Sequence, residues 1–262
     1  TLSLVDDHTR ELEQSRQQLQ SSLTQLRDLI RGEGYGDLIE NINSDSEQYI
    51  SSVEQLFAQQ RRYLELGNTA NAQLDELAFA VDDASIMLLD ASDMTQSDAV
   101  AEIAGTIEKS LASLITLMYD LSNAGDIDTA KIIRSEIDIN IDAMKPRLED
   151  LDAAATGSSE QMVDDALSMT RSAIEGLQGT GSYPDNVISQ KQTRVDEATT
   201  MQQSEQRLDN LLQQTEKLRQ AVRGIADDTQ TTVSDSIGTS SWINGIITLI
   251  SIALAIFISW YT

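Results

Sequence analysis

Apolar residues recur every three or four positions along almost the whole chain, the spacing of helices that each bury one stripe. The first predicted helix runs from about Leu2 to Ile30, with Val5, Leu12, Leu19 and Leu26 seven apart and Leu23 and Ile30 beside them. Glycines in Arg31–Gly36 predict a turn. The second helix carries Leu38, Ile42, Tyr49, Val53, Leu56 and Tyr63 and is expected to end at Gly67-Asn68. The third starts near Thr69 and keeps its stripe through Leu74, Val81, Leu88, Val100, Ile107, Leu114 and Leu121. The polar stretch Ser92–Ser97 holds neither Gly nor Pro, so one long helix to about Ser122 is expected.

Asn123–Asp126 combines a glycine stop with an aspartate N-cap and predicts the next turn. Helix four follows from Ile127 to about Ala155, with a local kink expected at Pro146. Gly157–Ser159 leads into helix five, marked by Met162, Ala166, Met169, Ala173 and Leu177. Gly179–Asp185 turns into helix six, whose stripe is read as Val187, Met201, Leu208, Leu211, Leu218, Val222 and Ile225. No strand pattern occurs. Helices one and two have about thirty residues each, roughly 45 Å. Helices three and six have about fifty-three before the terminal segment, roughly 80 Å. Short turns make neighbours antiparallel. The expected fold is therefore all-α: two stacked four-helix bundles sharing two long helices, followed by one transmembrane helix. The proximal bundle would comprise 1–95 and 214–240, and the distal bundle 96–213.

The span is the stretch Trp242–Trp260, apolar, uncharged and bracketed by the chain's only two tryptophans. From Gly224 to Thr262 there is no Lys or Arg, while Asp227, Asp228 and Asp235 precede the span. Cytoplasmic flanks are enriched in Lys and Arg, so residues 1–240 are expected outside the cytoplasm and 241–262 in the bilayer. The chain begins at Thr1 rather than Met. A longer parent protein is expected, with an upstream span serving for membrane insertion.

This order of elements, two short helices, one long, two short and one long entering a span, resembles the helical bimodular sensor domain. That domain occurs in bacterial transmembrane chemoreceptors and in some sensor histidine kinases. The resemblance covers essentially the whole chain and rests on element order, element length and the five turn positions. It implies a bacterial inner-membrane receptor with a periplasmic sensor region, a small ligand, often an organic acid, in a bundle core, and a homodimer. In some kinase members it implies a periplasmic binding protein as partner instead.

Composition narrows the chemistry. The 262 residues include 43 Asp and Glu against 18 Lys and Arg, a formal net charge of −25. Such a surface repels nucleic acid and anionic headgroups, so no nucleic-acid partner is expected. There is no cysteine and one histidine, His8, read as solvent-facing. Adjacent pairs such as Asp82-Asp83 and Asp164-Asp165 do not face each other on a helix. Neither catalysis nor a metal or other cofactor is expected.

The arginines are the candidate binding residues. Counted from the expected turns, Arg134, Arg171 and Arg194 come out at one height in the distal bundle, with Arg194 in the Met201/Leu208 frame. Lys131 and Lys191 stand one turn away. Three guanidinium groups on one layer would hold a carboxylate bidentately. The alternative is surface pairing with Glu136, Glu175 or Glu197. A second layer would join Arg16 with Arg219, Arg223, Ser52 and Gln55, unless Arg16 pairs with Asp83 or Glu54. The expected function is thus ligand sensing by a chemoreceptor, signalled by displacement of the last helix. A histidine kinase region docking a binding protein through an apolar or aromatic tip (Tyr119, Tyr183) is one alternative. A tail-anchored helical adaptor is the other.

Overall fold

The computed structural model describes residues 2–29, 36–95, 97–155 and 160–228. It contains α1 (Leu2–Leu29), α2 (Gly36–Met94), α3 (Asp98–Ser122), α4 (Ile127–Ala154), α5 (Glu160–Leu177) and α6 (Tyr183–Asp228). No strand occurs among the described residues. The expected turn at Arg31–Gly36, apart from Gly36 at the start of α2, the expected turn at Gly157–Ser159 and the expected transmembrane helix at 241–262 lie outside the described residues. Among the described residues, no helix is long and apolar enough to cross a membrane.

Two boundaries differ from expectation. Gly67 lies inside α2, which continues without a turn to Met94. Gly67 makes no bend; a Cβ there would meet only the movable amide end of the Gln190 side chain on α6. The break falls instead at Thr95–Ser97, where no glycine or proline marked it. Thr95 Oγ1 accepts the Ser97 N–H, and Ser97 Oγ accepts the Val100 N–H as N-cap of α3. The Ser97 hydroxyl therefore starts α3, and the Thr95 hydroxyl binds the backbone between the two helices. The long helices are α2 and α6, not the third and sixth.

The chain divides into two units accordingly. Unit 1 comprises residues up to Arg61 and from Asp196 on; unit 2 comprises Arg62–Val195. The boundaries at 61/62 and 195/196 replace those expected at 95/96 and 213/214. Both α2 and α6 contribute to both units.

Unit 2 is built from Arg62–Met94 of α2 with α3, α4, α5 and the first turns of α6. The expected set was helices three to six over 96–213; instead Arg62–Met94 of α2 joins it, and α6 contributes only up to Val195. Its core is one continuous cluster, with Val81, Leu88, Ile107, Leu111, Leu114, Met118, Ile137, Ile141, Met144 and Leu177 fully buried. The 3–4 spacing of large aliphatics sets the inward faces of these helices. Asp126 caps α4 by accepting the Thr129 N–H and hydroxyl, and these bonds hold its carboxyl below the usual range. Pro146 lies inside α4, which runs on through it to Ala154.

Gly179 and Gly181 take φ of +88° and +79°, as the expected turn before α6 requires. The start of α6 is then tied into unit 2. Tyr183 donates its hydroxyl to the Met118 carbonyl at 2.6 Å, and Lys191 donates to the Ala124 carbonyl beyond α3. Asn186 donates to Gln73 at 2.8 Å. Tyr183 is buried, so it is no part of an aromatic tip; Tyr119 is exposed.

Unit 1 brings together α1, Gly36–Arg61 of α2 and α6 from Asp196: three helices among the described residues where four were expected. Contacts fix their directions. Arg61 pairs with Asp6, and Gln20 with Glu47, so α1 and α2 are antiparallel. Gln59 meets Thr200 and Gln214 meets Asp45, so α6 is antiparallel to α2 as well. The apolar core comprises Leu12, Leu19, Leu23, Ile42, Ile50, Val53, Phe57, Leu211 and Leu218. His8 is half-buried rather than solvent-facing, stacked 6.4 Å from the Phe57 ring.

Burial pushes the phenols of Tyr49 in unit 1 and Tyr183 in unit 2 up to about 12. An unfolded tyrosine ionises near pH 10. The folded form therefore keeps protons that the unfolded form loses. This contribution to stability is complete below about pH 10 and disappears as the pH rises through about 12. Melting temperature should fall steeply across that window, and the fall should flatten in the Tyr49→Phe/Tyr183→Phe variant. An unchanged slope in that variant would assign the alkaline loss to other groups.

Candidate functional site

The first expected arginine layer is dispersed. Arg134 on α4 is half-buried and pairs with Asp138 on its own helix at 3.4 Å. Arg171 on α5 pairs with Asp152 at 3.2 Å. Asp152 stands about 18 residues beyond Arg134 along α4, roughly 27 Å at the helical rise. The two arginines therefore do not share a layer. Arg194 is exposed, its guanidinium carbon 5.3 Å from the centroid of the Tyr63 ring. The buried positions of this part of α6 are Thr193 and Glu197, one step off the expected frame.

The second layer also separates. Arg16 reaches Glu47 at 2.5 Å, Glu54 at 3.4 Å and Glu13 at 3.9 Å. Its partners include Glu54, and Asp83 is not among them. Glu47 raises the Arg16 pKa, through its hydrogen bond first and its charge second. Arg219 is held in the same sense by Glu216 on its own helix, through two bonds of 2.7 Å. Because Gln214 already meets Asp45, Arg219 lies beyond that point of α2, whereas Arg16 lies at Glu47–Glu54. The side chain of Arg223 and the residues Thr229 and Thr232 lie outside the described residues.

What unit 1 does assemble is a polar seam between α2 and α6. The side of α6 that faces inward carries Glu197, Thr200 and Ser204, all buried, followed by half-buried Arg207 and Gln214. Across from it stand Ser52, Gln55 and Gln59. The Thr200 hydroxyl accepts from Gln59 Nε2 at 3.1 Å and from Gln55 Nε2 at 3.4 Å, two donors one helical turn apart. Gln59 Oε1 and Gln214 Oε1 are buried and accept no hydrogen bond among the described residues.

Arg207 is the residue that distinguishes the seam. Its Nη1 donates to the Gln48 carbonyl at 2.7 Å and to the Ser52 hydroxyl. No carboxylate pairs with it among the described residues. Both bonds leave one nitrogen, so the Nη2 and Nε donors of the fork meet no acceptor there. Half-buried guanidinium without a counterion, in a chain of net charge −25, is an arrangement that favours an anion. Sequence reading missed it because Leu208 next door was placed in the core. The usable signal was the spacing Leu218, Leu211, Ser204, Glu197, stepping back by sevens, which puts Arg207 on the inward side. A separate open cleft of about 370 Å³ lies between α1 and α2, lined by Gln20, Leu23, Thr24, Arg27, Ile39, Glu40 and Asn43.

No protein-family model and no curated protein matches the sequence. The fold is similar to the crystal structure of the V. parahaemolyticus histidine kinase sensor TorS sensor domain, with a TM-score of 0.57 and 14% identity. The likeness covers 84% of this chain and 97% of that one. At this identity it concerns the arrangement of helices alone.

Proposed function

We propose that the chain is the extracytoplasmic sensor region of a bacterial transmembrane receptor, of the chemoreceptor type, which binds a small organic acid in unit 1 and signals by displacing α6. The observation that carries this reading is the counterion-free Arg207 on the polar α2–α6 seam. A ligand carboxylate fits the open donors of its fork, and the seam hydroxyls and amides supply further partners. Support for a sensor comes from the fold shared with a sensor domain. Support for a membrane receptor comes from the apolar Trp242–Trp260 segment that follows α6 in the sequence.

The same seam suits transmission. Interlocked aliphatic side chains resist sliding, whereas a hydroxyl served by Gln55 and Gln59 can exchange one amide for the next at small cost. A ligand that binds one packing of α6 better than another shifts the balance by that difference. Of the expected arginines, Arg16 remains a secondary anion group in this unit, its charge already shared among three glutamates.

The direct test is calorimetric titration of the purified protein with mono-, di- and tricarboxylates. Saturable binding of at least one is expected. A folded protein that binds none of them would remove the organic-acid reading.

A further inference from the structure

Unit 2 carries an apolar face that its fold leaves uncovered. On α2, Phe79 is 73% exposed, Ile86 50%, Leu89 47% and Met94 70%. Phe79 and Ile86 are seven residues apart and lie opposite the buried stripe of Leu77, Val81, Ala84 and Leu88. The surrounding exposed positions are Asp75, Glu76, Asp82, Asp83, Asp90 and Asp93, and no Lys or Arg occurs between Arg62 and Lys109. Four large apolar side chains on one face of α2, interspersed with acids and with no cation on that stretch of the helix, form a contact surface with a defined charge requirement.

We propose that this face of α2 docks a partner protein whose surface has an apolar centre rimmed by Lys and Arg. Charge complementarity selects that occupant. A second copy of the chain, paired face to face, would set Asp82, Asp83 and Asp90 against their own counterparts. An anionic lipid surface is repelled in the same way. The inference does not depend on a small ligand in unit 1: the face would dock its partner whether or not Arg207 binds an anion.

The test uses a fluorescein-labelled amphipathic helical peptide of leucine and lysine, with an acidic leucine–glutamate peptide of the same apolar face as control. Anisotropy should give saturable binding of the lysine peptide and none of the glutamate peptide. Phe79→Asp/Ile86→Asp adds two negative charges, so a purely diffuse attraction would strengthen. Docking on this face predicts instead at least a tenfold loss, with the melting temperature unchanged because both positions are exposed. Ile132→Asp/Ile139→Asp, which alters exposed residues of α4, should bind at least as well as the native protein. Equal or tighter binding by the Phe79→Asp/Ile86→Asp variant overturns the proposal. So does absence of saturable binding to the native protein. A self-association in sedimentation that only this variant abolishes would also overturn it, by assigning the face to a second copy.

Discussion

Leu111→Ala is expected to destabilise unit 2 by about 2–5 kcal/mol. Leu111 is fully buried midway along the helix, within the stripe Val100, Ala104, Ile107, Leu111, Leu114, Met118 and Leu121. The core around it is one cluster drawn from α2, α3, α4, α5 and the start of α6, so no side chain can collapse into the space without disturbing another helix. For a body of this size the loss corresponds to a fall of roughly 10 °C in the melting temperature of unit 2. Phe79→Ala, at an exposed position of α2, is the matched control and should stay within about 0.5 kcal/mol of the native protein. Chemical denaturation monitored by circular dichroism measures both. If Leu111→Ala costs no more than Phe79→Ala, the packing described for unit 2 is wrong.

The second large effect concerns binding. Arg207→Ala is expected to weaken the carboxylate found by titration by about 10- to 150-fold, the range for a lost charge-assisted hydrogen bond of about 1.5–3 kcal/mol. Folding should be little changed. Ser52 already donates to the Gln48 carbonyl at 2.8 Å, so removing Arg207 orphans no buried group there. Arg207→Lys keeps the charge and loses the planar fork, and should lie between the two. Arg134→Ala, Arg171→Ala and Arg194→Ala should bind like the native protein, because their groups sit in unit 2 on Asp138, Asp152 and Tyr63. Loss of binding in any of these three, with Arg207→Ala unaffected, would move the site into unit 2.

The two predictions rest on parts of the chain that differ in how plainly residue spacing reveals them. Where large aliphatics occupy the buried positions, as along α3 and α4, the helices and their inward faces were legible from spacing alone. The turn at Gly179–Gly181 was legible because only glycine adopts positive φ without strain. Two boundaries misled. Gly67 has the look of a stop, yet α2 runs on through it to Met94. The true stop at Thr95–Ser97 rests on side-chain hydrogen bonds that the sequence cannot rank against helix continuation. Exchanging these two points changed which helices are long and which segments make up each unit.

The candidate site was hidden for a different reason. Between Val187 and Leu211, α6 buries Thr193, Glu197, Thr200 and Ser204, which give no apolar signal, while Met201 and Leu208 lie half-buried beside them. A hydrophobic count therefore selects the wrong face and carries Arg194 inward and Arg207 outward. Only the partners of α6 on α2 reverse that order. A polar interior in an otherwise aliphatic bundle is also where local sequence rules are expected to fail if the segment has a function.

The proposed signal is motion of α6 against α2 within unit 1. Spin labels at the exposed positions Ser51 and Gln206 report that separation by pulsed electron resonance, in the protein with and without the carboxylate identified by titration. A shift of about 1–2 Å in the distance distribution is predicted on saturation, and its absence in Arg207→Ala at the same concentration. A distribution that is unchanged while the carboxylate is fully bound would contradict signalling by displacement of α6.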